Sequence, residues 1–226
     1  MEANEKIVLD AQRQHWERTL GQKPEMFGRA PSEAAYKAAE IFAREDSRKI
    51  LELGAGQGRD TVLLAERGFA VVALDYSESG LRSIRQKSQV LSHSQSVHVL
   101  RHDVRDALPL RDESFDACYS HMLYCMALKL KELESLSAEI WRVLRPGGIN
   151  IYTVRNTEDS DYGKGIHRGE DLYEVGGFVV QFFSREKILR LASGWEILAI
   201  DPFAEGTLPR KLFCVTLKKP MSKRLK

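Results

Sequence analysis

The chain has 226 residues, 43% of them hydrophobic and 29% charged, with 34 basic against 32 acidic side chains and a net charge of +2. That size suits one domain with an appendage, long enough to bury a core without disulfide staples, and the composition excludes wholesale disorder. The near-balanced charge excludes a polyanion binder of the histone kind, so nucleic acid is not an expected partner.

In chain order, residues 5–45 read as two helical stretches around a loop at 21–31. Lys49–Leu53 is a short apolar run stopped by Gly54, and reads as the first strand. A helical pattern follows over 59–67, and residues 70–74 form a second buried run ended by Asp75. Ser77 can cap a helix over 78–90, because its hydroxyl can accept from early backbone N–H groups. Strands three and four fall at 96–101 and 114–119. Leu133, Leu136, Ile140 and Leu144 recur at helical spacing, so 130–144 is an amphipathic helix. Pro146-Gly147-Gly148 ends it and turns the chain into a fifth strand over 149–154.

Residues 156–177, rich in Gly, Asp and Tyr, read as a long excursion. A short helix over 184–192 follows, then strands over 196–200 and 211–217 with no helix between them, most simply an antiparallel hairpin. The alternation predicts an α/β fold: a Rossmann-like, doubly wound, seven-stranded sheet, mostly parallel with an antiparallel C-terminal hairpin and helices on both faces. One domain fills residues 1–226: a helical N-terminal lid at 1–45, a cofactor-binding half at 46–155, and a substrate wall with the edge hairpin at 156–226.

Cys118, Cys125 and Cys214 are scattered without metal-ligand spacing, so no metal site and no disulfide framework is expected, and they read as core residues. The first residues lack the order of a signal peptide, and no apolar run approaches the ~20 residues that span a bilayer. A cytoplasmic protein without a membrane partner is the expectation. Lys218, Lys219, Lys223, Arg224 and Lys226 read as a solvated tail.

The chemistry is carried by Leu51-Glu52-Leu53-Gly54-Ala55-Gly56-Gln57-Gly58-Arg59-Asp60, where glycines follow a buried strand and open a helix. That geometry brings backbone close to a ligand, with helix N–H groups facing it. Asp75, at the end of the next strand, can accept both hydroxyls of a ribose. Asp103 ends the third strand, and with the N–H of Val104 it can meet an adenine edge as acceptor and donor. The spacing is G-x-G-x-G rather than the G-x-G-x-x-G of dinucleotide folds.

Together with Val143-Leu144-Arg145-Pro146-Gly147-Gly148 before strand five, these residues resemble the class I S-adenosylmethionine-dependent methyltransferases. The resemblance implies S-adenosylmethionine as cofactor, held by Gly54, Ala55, Gly56, Asp75, Tyr76, Asp103, Val104 and Ser120, and a small-molecule methyl acceptor such as a thiol, metalloid or amine. Gly58-Arg59-Asp60-Thr61 is also similar to the run opening the first helix of TehB-like tellurite-resistance methyltransferases, although Pro209 stands where that family has a histidine. A cofactor-binding subunit without turnover, or a nicotinamide-dependent dehydrogenase, are the other readings, and the oligomeric state is left open.

Methyl transfer from a sulfonium is an in-line displacement that needs orientation and a dry site more than a catalytic triad. The site belongs at the carboxyl ends of the strands. His121 and Tyr124, after strand four, are the expected catalytic residues, His121 to deprotonate or steer the acceptor. Phe27, Tyr36, Arg155, His167 and Arg210 are the expected acceptor contacts, with Phe27 on a lid over the methionine end.

Overall fold

The computed structural model describes residues 2–23, 25–89, 96–206 and 210–221. Leu208 and Pro209 in the hairpin loop, and Lys223, Arg224 and Lys226 in the tail, lie outside the described residues. The elements run α1 (Glu2–Gln22), α2 (Glu33–Arg44), β1 (Lys49–Leu53), α3 (Arg59–Glu66), β2 (Ala70–Asp75), α4 (Glu78–Gln89), β3 (Val97–Arg101) and β4 (Phe115–His121). They continue with α5 (Leu130–Val143), β5 (Leu144–Arg155), β6 (Ile166–His167), β7 (Leu172–Val175), β8 (Phe178–Gln181), α6 (Arg185–Leu191), β9 (Glu196–Glu205) and β10 (Arg210–Lys218).

The main sheet has seven strands in the order β3-β2-β1-β4-β5-β10-β9. All neighbours are parallel except β10, which runs antiparallel to both β5 and β9. The chain winds outward from β1 in one direction and from β4 in the other, so a crevice opens between the carboxyl ends of β1 and β4. Alternation along the central strands feeds two cores. Leu51, Leu53, Cys118 and Tyr152 pack towards α5 and α6, while Ile50, Ala73, Tyr119 and Ile151 pack towards α2 and α3. All three cysteines are buried and free.

Three boundaries differ from the sequence reading. Strand β5 starts at Leu144 rather than 149, because the register shift between Phe115 and Ala117 lets the Pro-Gly-Gly run stay in the sheet. Strands β9 and β10 are longer than expected, paired from Glu205 and Arg210 down to Glu196 and Lys218. Residues 156–177 are not an unstructured excursion: they hold β6 and β7, which with β8 form a separate antiparallel sheet. Gly176 and Gly177, at φ 59° and 84°, make the tight turn from β7 to β8. The Gly-Gly pair between Val175 and Phe178 was the hairpin signal in the sequence.

Candidate functional site

The glycine turn after β1 is shaped by what packs behind it. Gly54, Gly56 and Gly58 have φ of 68°, 54° and 77°, a region that side chains with a Cβ avoid. A Cβ on Gly58 would fall 2.5 Å from Ile84, and one on Gly80 would fall 2.5 Å from the Gly56 carbonyl. Helix α4 is therefore pressed against the rear of the turn, while a Cβ on Gly56 would meet nothing within 4 Å. The front of the turn is left to a ligand.

Asp75 ends β2 beside this turn. Its Oδ2 accepts from the Gly56 N–H at 2.8 Å and its Oδ1 from the Ser77 N–H at 2.8 Å. Desolvation pushes its carboxyl above the usual range, outweighing these two donors. Ser77 caps α4 as expected, its hydroxyl accepting from the Gly80 N–H at 3.0 Å. At the next strand end, Asp103 takes the Nε and Nη2 of Arg105 at 3.2 and 2.9 Å. Burial works to raise Asp103, but Arg105 outweighs it and holds the carboxyl below its ordinary value. Tyr76, Asp103, Val104, Leu123 and Met126 line a cleft at these strand ends, and Trp16 of α1 faces them across it.

Beneath the turn lies Glu52, 3% exposed, whose Oε2 accepts from Thr61 Oγ1 at 2.6 Å. Burial and the nearby Asp60 push its carboxyl up to about 8. Ser120, near the end of β4, is 1% exposed, and its hydroxyl has no protein partner. Next along, His121 holds Thr153 Oγ1 on Nδ1 at 3.0 Å and Glu205 Oε2 on Nε2 at 3.1 Å. Burial would raise Glu205, but His121 and then Arg59 outweigh it and keep the carboxyl ionised below its usual range. An ionised carboxylate only accepts, so the ring proton sits on Nε2.

Residues 51–152 match the family model for a methyltransferase domain. The Bacillus subtilis (strain 168) methyltransferase YqeM is 33% identical over 136 residues, 59% of this chain and 52% of that protein. The chain spans about half the length of the curated relatives it matches. Among solved structures, the 1,6-didemethyltoxoflavin-N1-methyltransferase of Burkholderia thailandensis, with bound 1,6-didemethyltoxoflavin and S-adenosylhomocysteine, superposes with TM-score 0.69 at 19% identity, over 97% of this chain and 91% of that one. TehB from Haemophilus influenzae superposes with TM-score 0.66 at 16% identity, over 90% of this chain and 67% of that one. At such identities the superpositions establish the fold.

Residues 51–152 are similar to a methyltransferase domain, and the fold is that of S-adenosylmethionine-dependent methyltransferases.

The residues at these strand ends fit S-adenosylmethionine on the chain's own geometry. The cradle at Gly56 is open where a Cβ would sit, a desolvated carboxylate stands at Asp75, and an unpartnered hydroxyl lies buried at Ser120. Gly54, Ala55, Gly56, Asp75, Tyr76, Asp103, Val104 and Ser120 all lie along the carboxyl ends of β1 to β4.

The expected acceptor-side residues divide. His121 stays at the rim, and Arg210 lies opposite Glu205 in the β9–β10 ladder, hence beside it. Phe27 is 37% exposed and stacks on Trp16 with centroids 6.0 Å apart, while its carbonyl receives Arg59 Nη1 at 2.9 Å. It thus sits over the start of α3.

Four other residues are placed differently. Tyr124 is fully buried in the core, its ring stacked on Tyr152 at 4.3 Å, because the left-handed Met122, φ 60°, starts a tight turn over Leu123–Cys125 that folds the side chain inward. Tyr36 stacks with Arg67, at the far end of α3 and about 12 Å along that helix from the glycine turn. Arg155 is 5% exposed and committed to Asp159 and Asp161, as an internal clasp. His167 belongs to the small sheet, its Nε2 at 2.9 Å from the Glu170 carbonyl and its ring against Tyr173.

Sequence reasoning passed over Gly80, Gln57 and Glu205. Gly80 is visible only once α4 is seen to touch the Gly56 carbonyl. Gln57 donates from Nε2 to the Lys23 carbonyl at 2.7 Å and so ties the N-terminal loop to the turn. A charged residue at the end of an edge strand gave no signal for Glu205.

Proposed function

We propose that this protein is an S-adenosylmethionine-dependent methyltransferase that acts on a small-molecule acceptor. The observation that carries the reading is the pairing of an open glycine cradle with Asp75, a carboxylate whose desolvation outweighs the backbone N–H groups of Gly56, Ser77 and Tyr76 that meet it. A desolvated acceptor beside an open glycine turn suits a neutral diol, the chemistry of a nucleoside ribose.

The bound cofactor supplies the activated methyl group. The chain's part is to bind, orient and keep the site dry. Asp75 accepts from the ribose hydroxyls, and Asp103 with the Val104 N–H reads the adenine edge. Ser120 offers the buried hydroxyl nearest the methionine end. His121, fixed between Thr153 and Glu205, presents a polar edge at the rim where an acceptor's proton is held or steered. Phe27 and Arg210 flank that rim. No helix of the described residues is long and apolar enough to cross a membrane.

Isothermal titration with S-adenosylmethionine, S-adenosylhomocysteine and a nicotinamide dinucleotide tests the cofactor. Binding of the first two alone is expected. Release of S-adenosylhomocysteine across a panel of thiols, amines, phenols and metalloid oxyanions then identifies the acceptor. Binding without release on any member of the panel would favour a non-catalytic sensor.

A further inference from the structure

Two glutamines are buried at the small sheet, and their amides are used differently. Gln12 of α1 commits both ends of its amide to the β7–β8 hairpin, donating from Nε2 to the Gly177 carbonyl and accepting from the Val179 N–H, both at 3.1 Å. Gln181, the last residue of β8, is fully buried, yet neither its Oε1 nor its Nε2 meets a hydrogen-bond partner among the described residues. The charged side chains of the same sheet are satisfied: Glu174 pairs with Arg168, and Asp171 with Lys187. Burying a primary amide with both ends unpaired is strongly unfavourable, and Leu or Met would fill similar space without that penalty. A buried polar group of this kind calls for a partner, and the chain itself supplies none.

The position of Gln181 indicates where a partner enters. It stands opposite Leu172 in the β7–β8 ladder and two residues from Val179, so the three share one face of the small sheet. Leu172 and Val179 rest on Leu9 of α1 and on Ala127. Leu9 and Ala127 also line the cleft that holds Tyr76, Asp103 and Val104. Strand β8 lies against the Leu123–Cys125 turn as well, the segment that follows His121. The amide therefore belongs to an apolar layer that the small sheet shares with the cleft.

Its chemistry is narrow. A primary amide presents a donor and an acceptor in one plane. Two parallel hydrogen bonds form with an edge that carries C=O and N–H side by side, as a lactam does. A carboxylate has no donor for Oε1, and an ammonium has no acceptor for Nε2. Either would also bring an unpaired charge among Leu9, Leu172 and Val179.

We propose that Gln181 is an acceptor-recognition residue, and that the methyl acceptor is a neutral, largely apolar small molecule with a lactam-like edge. The proposal rests on the small-acceptor reading above and narrows its class. The edge accepts from Gln181 Nε2 and donates to Oε1, while the apolar remainder lies along Leu172 and Val179. Gln181 holds the acceptor; it takes no proton and forms no covalent bond.

The test uses the full chain saturated with S-adenosylhomocysteine and two probes, 2-quinolone, which has the C=O and N–H edge, and quinoline, which lacks it. Gln181→Met identifies the side-chain amide resonances of Gln181 in a nitrogen-15 spectrum by their loss. In the unaltered chain, 2-quinolone is expected to shift those resonances and to bind at least about tenfold more tightly than quinoline. In Gln181→Met the preference should shrink to within about twofold. The same variant should keep its affinity for S-adenosylhomocysteine and melt about 2–4 °C higher, because an unpaired amide is gone. A lower melting temperature would show the amide to be satisfied within the fold, and would overturn the proposal. So would an equal preference in both chains, or resonances that neither probe moves. No binding of S-adenosylhomocysteine by the unaltered chain would overturn the methyltransferase reading, and the acceptor site with it.

Discussion

Ser32 and Asp60 clasp the N-cap of α2 to the first turn of α3: the Ser32 N–H donates to Asp60 Oδ1 at 2.8 Å, and the Ser32 hydroxyl to Oδ2 at 2.8 Å. Tyr119 of β4 adds its hydroxyl to the same Oδ2 at 3.1 Å. The clasp is buried, and it sets where the N-terminal loop meets the glycine turn. Asp60→Ala leaves the Ser32 N–H short of an acceptor and the Ser32 and Tyr119 hydroxyls, 3.0 Å apart, with one acceptor fewer than their two protons need, and is expected to cost about 2–4 kcal/mol in a denaturant melt. Asp60→Asn keeps one accepting oxygen and should cost less. Equal stability of Asp60→Ala and the unaltered chain would show the clasp to be idle.

Glu52 predicts a pH dependence. Its carboxyl is raised from 4.5 to about 8, so the folded chain holds a proton that the unfolded chain releases. Stability from this residue is fully present below 4.5 and falls as pH rises towards about 8. The slope is about 1 kcal/mol per pH unit at most. Glu52→Gln keeps an acceptor for Thr61 and removes the titration. Its melting temperature should gain on that of the unaltered chain as pH rises from about 5 to 8, and parallel curves would refute the assignment.

Asp75 separates binding from stability. Its desolvated carboxylate gains little for the free fold, so Asp75→Asn should melt near the unaltered chain. Loss of the ionised acceptor should weaken S-adenosylhomocysteine binding by about a hundredfold, as about 3 kcal/mol implies. Calorimetric titration reads this directly, and unchanged affinity would remove Asp75 from the ribose site.

Gly80 acts from behind. Gly80→Ala would place a methyl group 2.5 Å from the Gly56 carbonyl, and backbone cannot yield as a flexible side chain can. The glycine turn should shift forward, weakening cofactor binding by about tenfold although Gly80 never meets the cofactor. A variant with native affinity would mean that α4 retreats instead.

Tyr124 is the reverse case. Because it is buried against Tyr152 with a hydroxyl that meets no partner, Tyr124→Phe should leave turnover of any identified acceptor within about twofold and should not lower stability. A large fall in kcat with native stability would return the hydroxyl to the chemistry.

What the chain's own pattern determined is the local chemistry of the cofactor half. Periodicity marks each strand and helix, and a strand's end is where its apolar run stops, so Gly54, Asp75 and Asp103 could be put side by side before any contact was known. The family likeness rests on the same short-range spacings. The tertiary structure alone decided which side chains near that edge face the cleft. One left-handed residue, Met122, turned Tyr124 into the core, and a shared small sheet fixed His167 away from the glycine turn. It also laid α1 across the cleft at the ends of β2 and β3, with Asp10, Arg13 and Glu17 meeting partners from 62 to 95 residues away. Those contacts are set by packing between distant segments, and no periodicity within either segment encodes them.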